Sequence, residues 1–256
     1  MSKIKVIIGL GESKNYGVEF TKKPTKNSVA RILNEDDELI GFISMVADSS
    51  KSVFKVDPSK FYLEPLLPAN KKSTRTVISG ESDTGKTTLA SLFLDQYSLM
   101  YPDNELFFIS EKNKDIDRNL SKLDDLVQLT KEDLQEFDIN DYPNSMFLVD
   151  DSDSGKDSKL AMSILNSLSM VGREYNISYI FISHYNSRLD KTKAFSEFQT
   201  YITYYDNITE NNLMLKNQLG FTNKQIQEFK AMKATYYIFN KIYNILVTNK
   251  GVIKYR

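Results

Sequence analysis

Residues 80–87 read Gly80-Glu81-Ser82-Asp83-Thr84-Gly85-Lys86-Thr87, a complete match to the phosphate-loop pattern G-x-x-x-x-G-K-[ST]. This run constrains the fold more than any other, because the pattern works only between a strand and a helix. Both neighbours are in place: the β-branched run Thr76, Val77, Ile78 enters the loop, and Leu89, Leu92, Phe93 and Tyr97 leave it at helical spacing. In such a loop the backbone N–H groups and the helix N-terminus hold anionic oxygens. Gly80 through Thr88 are therefore the expected cradle for a nucleoside triphosphate. Lys86 is expected on the β/γ-phosphates and the Thr87 hydroxyl on Mg²⁺, with ATP and Mg²⁺ as the ligands.

Around this loop the chain reads as an α/β fold. From Arg75 onward, apolar strands alternate with helical patterns, the signature of a parallel sheet. The strands are expected at Arg75–Ser79, Glu105–Ser110, Ser145–Asp150, Ser178–Ser183 and Tyr201–Tyr205. Leu160, Ile164, Leu168, Val171 and Tyr175 form the stripe of the helix before the fourth strand. Two short helical patterns (Thr209–Leu219 and Thr222–Met232) and a hairpin-like pair (Thr235–Asn240 and Ile242–Thr248) follow. Ahead of the loop, residues 1–64 read as a small β-rich extension with strands at Ile4–Ile8, Gly17–Thr21, Leu39–Val46 and Val53–Val56. Gly9–Leu10–Gly11 lacks a following helix and reads as a turn. Pro65 and Pro68 mark the connection into residues 65–256, an ATPase unit with core 75–205 and C-terminal extension 206–256.

Composition narrows the chemistry. With no cysteine and one histidine among 256 residues, disulfide frameworks, thiolate metal sites and His clusters are excluded. No run approaches the ~18 apolar residues of a membrane span, so a soluble, intracellular chain is expected. The net charge of −1 hides an asymmetry: residues 101–157 carry 16 acidic and 6 basic side chains, residues 158–256 carry 6 and 13. A basic C-terminal surface suits a polyanion such as DNA, and the opposed halves equally suit head-to-tail subunit contacts.

Hydrolysis needs a metal anchor, a group that orients water and a charge for the transition state. Ser145-Met-Phe-Leu-Val-Asp150-Asp151 ends an apolar strand in two carboxylates, at the sheet edge where ligands bind. Asp150 is the expected Walker B partner of Mg²⁺, and Asp151 the water-orienting group or base. Tyr179–Ile182 ends in Ser183–His184, which places His184 as a γ-phosphate sensor or as a structural strand-end histidine. Arg173, just before that strand, is predicted near the opposite sheet edge. It is either an arginine finger for a neighbouring subunit or a helix C-terminal cation, with Arg188 the alternative finger.

GESDTGKT, FFISEKNKD, MFLVDD and GREYNISYIFISH together resemble the FtsK/HerA superfamily of P-loop ATPases. More narrowly, they resemble the genome-packaging ATPases of poxvirus-type and related tailless DNA viruses. The resemblance covers about residues 75–184. It implies a RecA-like sheet, a ring of five or six subunits, double-stranded DNA as partner and a possible capsid component. It also implies the roles already given for Lys86, Thr87, Asp150, Asp151, His184 and Arg173. His184 stands where Gln is more usual, and Asp151 where Glu is. If the chain is viral, it belongs in the host cytoplasm or the virion.

Three functions are weighed. A DNA translocase predicts DNA-stimulated phosphate release, with Lys191–Lys193 as a DNA-facing loop. A P-loop kinase predicts a phosphorylated acceptor, and the Asp150–Asp151 pair and the lack of an arginine-rich lid count against it. A nucleotide-dependent assembly or regulatory module predicts weak, DNA-independent turnover.

Overall fold

The computed structural model describes strands within residues 5–63, and then residues 73–111, 113, 117–150, 158–183, 197–204, 212–217, 219–234, 236–241, 245–248 and 251–254. The first strands are β1 (Lys5–Leu10), β2 (Lys14–Thr25), β3 (Ser28–Leu33), β4 (Leu39–Ser44), β5 (Phe54–Lys55) and β6 (Phe61–Leu63). Five of them form an antiparallel sheet in the order β4-β3-β2-β1-β6. Gly9 and Leu10, expected in a turn, lie inside β1, where they pair with Asn15 and Lys14. Pairing along an antiparallel ladder overrides the turn preference of a short glycine-containing run. The Pro65–Pro68 connection lies outside the described residues.

The second sheet contains the site. It is built from β7 (Arg75–Ser79), β8 (Glu105–Ile109), β9 (Leu126–Gln128), β10 (Ser145–Val149), β11 (Ser178–Ser183), β12 (Thr200–Tyr204), β13 (Tyr236–Asn240), β14 (Ile245–Thr248) and β15 (Gly251–Lys254). With β5 at one edge, the order is β5-β15-β14-β13-β12-β7-β11-β10-β8-β9. The pairings from β12 through β9 are all parallel. Those from β12 out to β5 are antiparallel. Phe54–Lys55 thus joins the large sheet through β15.

Both faces of the central strands are apolar, as a covered parallel sheet requires. The register keeps odd residues on one face and even residues on the other. Val77, Phe107, Phe147, Val149, Tyr179 and Phe181 pack on one side with α3 (Ser158–Val171). Ile78, Leu106, Phe108, Met146, Leu148, Ile180 and Ile182 pack on the other with α1 (Lys86–Met100). The expected stripes are largely realised: Leu89, Phe93 and Tyr97 of α1, and Ile164 and Leu168 of α3, are buried. Burying each such side chain contributes roughly 1.5–3 kcal/mol.

Three further helices, α2 (Lys131–Gln135), α4 (Asn212–Asn217) and α5 (Asn223–Ala231), carry Leu134, Leu215, Ile226 and Phe229 into the α3-side core. The turn at Pro102 ends α1 as expected: the Asn104 N–H donates to the Tyr101 carbonyl at 3.0 Å, and its amide donates to the Tyr97 hydroxyl at 2.8 Å.

Candidate functional site

β7 delivers the phosphate loop to the edge of the sheet formed by the C-terminal ends of its parallel strands. The Gly80 N–H donates to the Ser183 carbonyl at 3.3 Å, which stitches the loop's first residue to the end of β11. Glu81, Ser82 and Asp83 are exposed, Thr84 and Gly85 half-buried. The Glu81 carbonyl folds the loop inward by accepting the Thr84 hydroxyl at 2.9 Å and the Lys86 ammonium at 2.6 Å. Lys86 is thereby buried at the loop's mouth. Asp83 and Gly85 have left-handed backbones, φ 62° and 92°. Such turns point successive N–H groups into one concavity, an anion nest.

Gly85 is also the N-cap of α1. No side chain caps this end, and its first turn holds no acidic residue. The first N–H groups of a helix have no intrahelical partner, and here they add to the positive end of a fifteen-residue macrodipole. Thr87 is half-buried in this turn, and exposed Thr88 accepts a hydrogen bond from the Asn119 amide at 3.0 Å. Asn119 sits in a turn fixed by Asp117, whose carboxylate accepts the N–H groups of Asn119 and Leu120 at 2.8 and 3.0 Å. Sequence reading passed over this segment, although Asp117-Arg118-Asn119 carries an Asx-turn signal.

Asp150 lies at the same edge, one residue beyond the Val149–Phe181 pair of β10 and β11. It is buried, and its N–H donates to the Ile109 carbonyl at 2.9 Å. The Thr87 hydroxyl and the Asp150 carboxylate are hard oxygen donors of the kind Mg²⁺ takes alongside phosphate oxygens and water. Among the described residues no group of three His, Cys, Asp or Glu gathers as a metal cage. Asp151, His184, Arg188 and Lys191–Lys193 lie outside the described residues.

Arg173 is exposed in the turn between α3 and β11. That turn precedes the N-terminal end of β11, whereas Ser183, at the other end, pairs with Ser79 beside the loop. Arg173 is therefore at the far edge of the sheet, not with the phosphate loop. Two left-handed asparagines brace its turn: Asn144 (φ 56°) and Asn176 (φ 59°). The Asn176 amide donates to the Asn144 side-chain oxygen at 2.7 Å, and the Asn144 N–H to the Tyr175 carbonyl at 2.9 Å.

Sequence reading also missed Tyr204. Its hydroxyl, at the end of β12, donates to the Gly85 carbonyl at 3.1 Å. Burial pushes this hydroxyl up to about 12.

These elements define an α/β fold of RecA-like P-loop NTPase organisation. No protein-family profile matches the chain. In sequence it is similar to uncharacterized protein V3 of Sputnik virophage, 27% identical over 217 residues that cover 80% of this chain and 85% of that one. In structure it is similar to B204, the DNA-packaging ATPase from Sulfolobus turreted icosahedral virus, with TM-score 0.50 and 11% identity. That match covers 72% of this chain and 100% of B204. The genome-packaging NTPase B204 of Sulfolobus turreted icosahedral virus 2, solved with AMPPCP, is similar at TM-score 0.45 and 10% identity, over 71% of this chain and 100% of that one. Among the described residues no helix is long and apolar enough to cross a membrane.

Proposed function

We propose that this chain hydrolyses ATP to ADP and phosphate and uses the reaction to move double-stranded DNA, packaging a viral genome into a capsid as a homo-oligomeric ring. One observation carries the ATPase reading. An uncapped helix N-terminus bearing Lys86 and Thr87 shares a sheet edge with the buried carboxylate of Asp150. The packaging reading is finer and draws on the fold likeness to B204 and the sequence likeness to a virophage protein. Residues 65–256 act as the ATPase unit, and residues 1–64 as a β-rich extension.

In this reading the N–H groups of the loop and of the first turn of α1, through Thr88, hold the phosphate chain. Lys86 leaves the Glu81 carbonyl for the β/γ-phosphates. Thr87 and Asp150 hold Mg²⁺, which supplies charge neutralisation at the transferred phosphoryl group. Asp151 orients the attacking water and accepts its proton, and His184 senses the γ-phosphate. Arg173, on its braced turn at the far sheet edge, serves the nucleotide of a neighbouring subunit. A finger acting in trans contributes a factor of about 10³–10⁵ in rate.

The test is steady-state phosphate release with and without long double-stranded DNA, run on wild-type, Lys86→Ala and Arg173→Ala proteins. The expected result is strong stimulation by DNA that both variants lose. Hydrolysis indifferent to DNA at low salt and unchanged by Arg173→Ala would sink the motor reading in favour of a nucleotide-gated assembly factor. A phosphorylated acceptor would point to a kinase.

A further inference from the structure

The phosphate loop is held from behind by a residue more than a hundred positions downstream. Tyr204 ends β12, which pairs in parallel with β7, the strand that feeds the loop. Its ring crosses the loop between the two glycines that bound the motif. A Cβ on Gly80 would lie 3.1 Å from the ring carbon Cδ2 of Tyr204, and one on Gly85 would lie 3.7 Å from its hydroxyl. The hydroxyl itself donates to the Gly85 carbonyl at 3.1 Å. The side chain is half-buried and packs on the α1-side core, whose members include Tyr236, the β13 residue directly opposite it.

The geometry of the peptide unit gives this bond a consequence at the ligand side. The Gly85 carbonyl and the Lys86 N–H belong to one planar trans peptide and point in opposite directions. A hydroxyl that fixes the carbonyl therefore fixes the N–H as well. Lys86 is the first residue of α1, so its N–H belongs to the first turn, whose donors point out of the helix end. Gly85 is at φ 92°, in the left-handed region that glycine enters without steric cost but also leaves easily. The same carbonyl accepts the Leu89 N–H at 3.0 Å as the first bond of α1, so the Tyr204 hydroxyl is a second donor on this peptide, supplied from β12 rather than from the helix.

We propose that Tyr204 is a positioning residue for the nucleotide site: together with the Leu89 N–H, its hydroxyl holds the Gly85–Lys86 peptide so that the Lys86 N–H faces the phosphates before they arrive. This rests on the ATP-binding reading above. Through the Tyr204–Tyr236 register pair, it also ties the loop to the antiparallel strands β13 to β15. The hydroxyl remains a donor across the working pH range, since burial holds it well above an ordinary tyrosine.

A second tyrosine on the same strand supplies the control. The Tyr201 hydroxyl is 2.7 Å from the Ser79 hydroxyl and buried, at β7 rather than on a loop peptide. Its removal tests the loss of a structural hydrogen bond near the loop. The experiment compares wild-type, Tyr204→Phe, Tyr201→Phe and Lys86→Ala proteins. ATP affinity is measured by displacement of a fluorescent ATP analogue, and the melting temperature of each nucleotide-free protein by circular dichroism.

The expected result is a Kd for ATP weakened about 3–10-fold in Tyr204→Phe, the range one hydrogen bond supplies. Tyr201→Phe should stay within about twofold of wild type in Kd, even where its melting temperature falls further. Affinity that Lys86→Ala abolishes but Tyr204→Phe leaves within about twofold of wild type would overturn the brace and leave the ATP site standing. Equal weakening in both tyrosine variants would reduce Tyr204 to a structural role. Wild-type protein that binds no ATP would overturn both this proposal and the reading beneath it.

Discussion

Helices α1, α2 and α5 face the same problem at their N-termini and solve it in opposite ways. At α2 the Thr130 hydroxyl accepts the Asp133 N–H at 3.2 Å, while the Asp133 carboxylate accepts the Thr130 N–H at 2.7 Å and its hydroxyl at 2.8 Å. At α5 Thr222 and Gln225 repeat this capping box with a neutral amide. At α1 a left-handed glycine stands where a cap would be, and nothing on the first turn neutralises the helix end. A Ser, Thr, Asp or Asn cap contributes about 1 kcal/mol. α1 forgoes it and remains a helix because Leu89, Ala90, Phe93, Leu94 and Tyr97 bury its body in the core. Two helix ends are finished by side chains, and the third carries no side-chain cap, the end that the proposed function assigns to the nucleotide.

The largest expected effect follows from removing what the open end offers. Lys86→Ala should lower phosphate release by a factor of at least about 10², the scale seen when one charge-stabilising donor is lost. It should also cancel the stabilisation that Mg²⁺–ATP confers, about 2.7 kcal/mol at a hundred times Kd. The same addition of ligand should raise the stability of Thr130→Ala and Thr222→Ala proteins by the wild-type increment. Thermal melts with and without Mg²⁺–ATP check both arms. A stabilisation that survives in Lys86→Ala would place the ligand elsewhere.

Gly85→Ala probes the geometry rather than the charge of that end. A Cβ there has room, 3.7 Å from the Tyr204 hydroxyl, so the cost is the left-handed backbone alone. For an L-residue that is roughly 1–2 kcal/mol. Urea melts should read that loss, together with weaker ATP binding as the Lys86 N–H swings away. Full stability with normal affinity would show that the loop does not need φ 92° at this position.

How much of this was legible in the sequence depends on how local each signal is. Arg75–Ser79 and Ser178–Ser183 were bounded to the residue, since both are apolar runs closed by polar ones. The position of Asp150 at the sheet edge was legible because four apolar residues closed by carboxylates mark the end of a buried strand. Strands β3, β6, β9 and β15 were not: each is short or interrupted by charge, and takes its identity from the neighbour it pairs with. Val53–Val56 read as part of the β-rich N-terminal extension, yet Phe54–Lys55 pairs with β15 at the opposite end of the chain. Arg173 was placed correctly at the far edge by counting strand direction. The Asn144–Asn176 bracket that holds its turn links residues 32 apart, so no window of sequence contains it. Tyr204 is the same case at 119 residues: one of 15 tyrosines until the fold sets it against Gly85.

Thr130→Ala and Thr222→Ala should each cost about 1 kcal/mol in urea melts and leave ATP affinity unchanged. A change in affinity there would mean that the finished ends communicate with the open one.

The smallest effect separates the two finished ends from each other. At α2 the box is closed by a carboxylate, which the Thr130 N–H, and after it the Thr130 hydroxyl, hold below the usual carboxylate range. Because the folded state lowers this pKa, the contribution is present above the ordinary carboxylate pKa and is lost as pH falls through the depressed one. At α5 the Gln225 amide does not titrate. The stability gap between wild type and Asp133→Asn should therefore close as pH drops below about 4. The gap between wild type and Gln225→Ala should stay constant over the same interval. Other carboxylates titrate alike in each variant and its parent, so they cancel in the difference. Urea melts at neutral and acidic pH give both gaps, and an Asp133→Asn gap that ignores pH would mean that the α2 box holds without its charge.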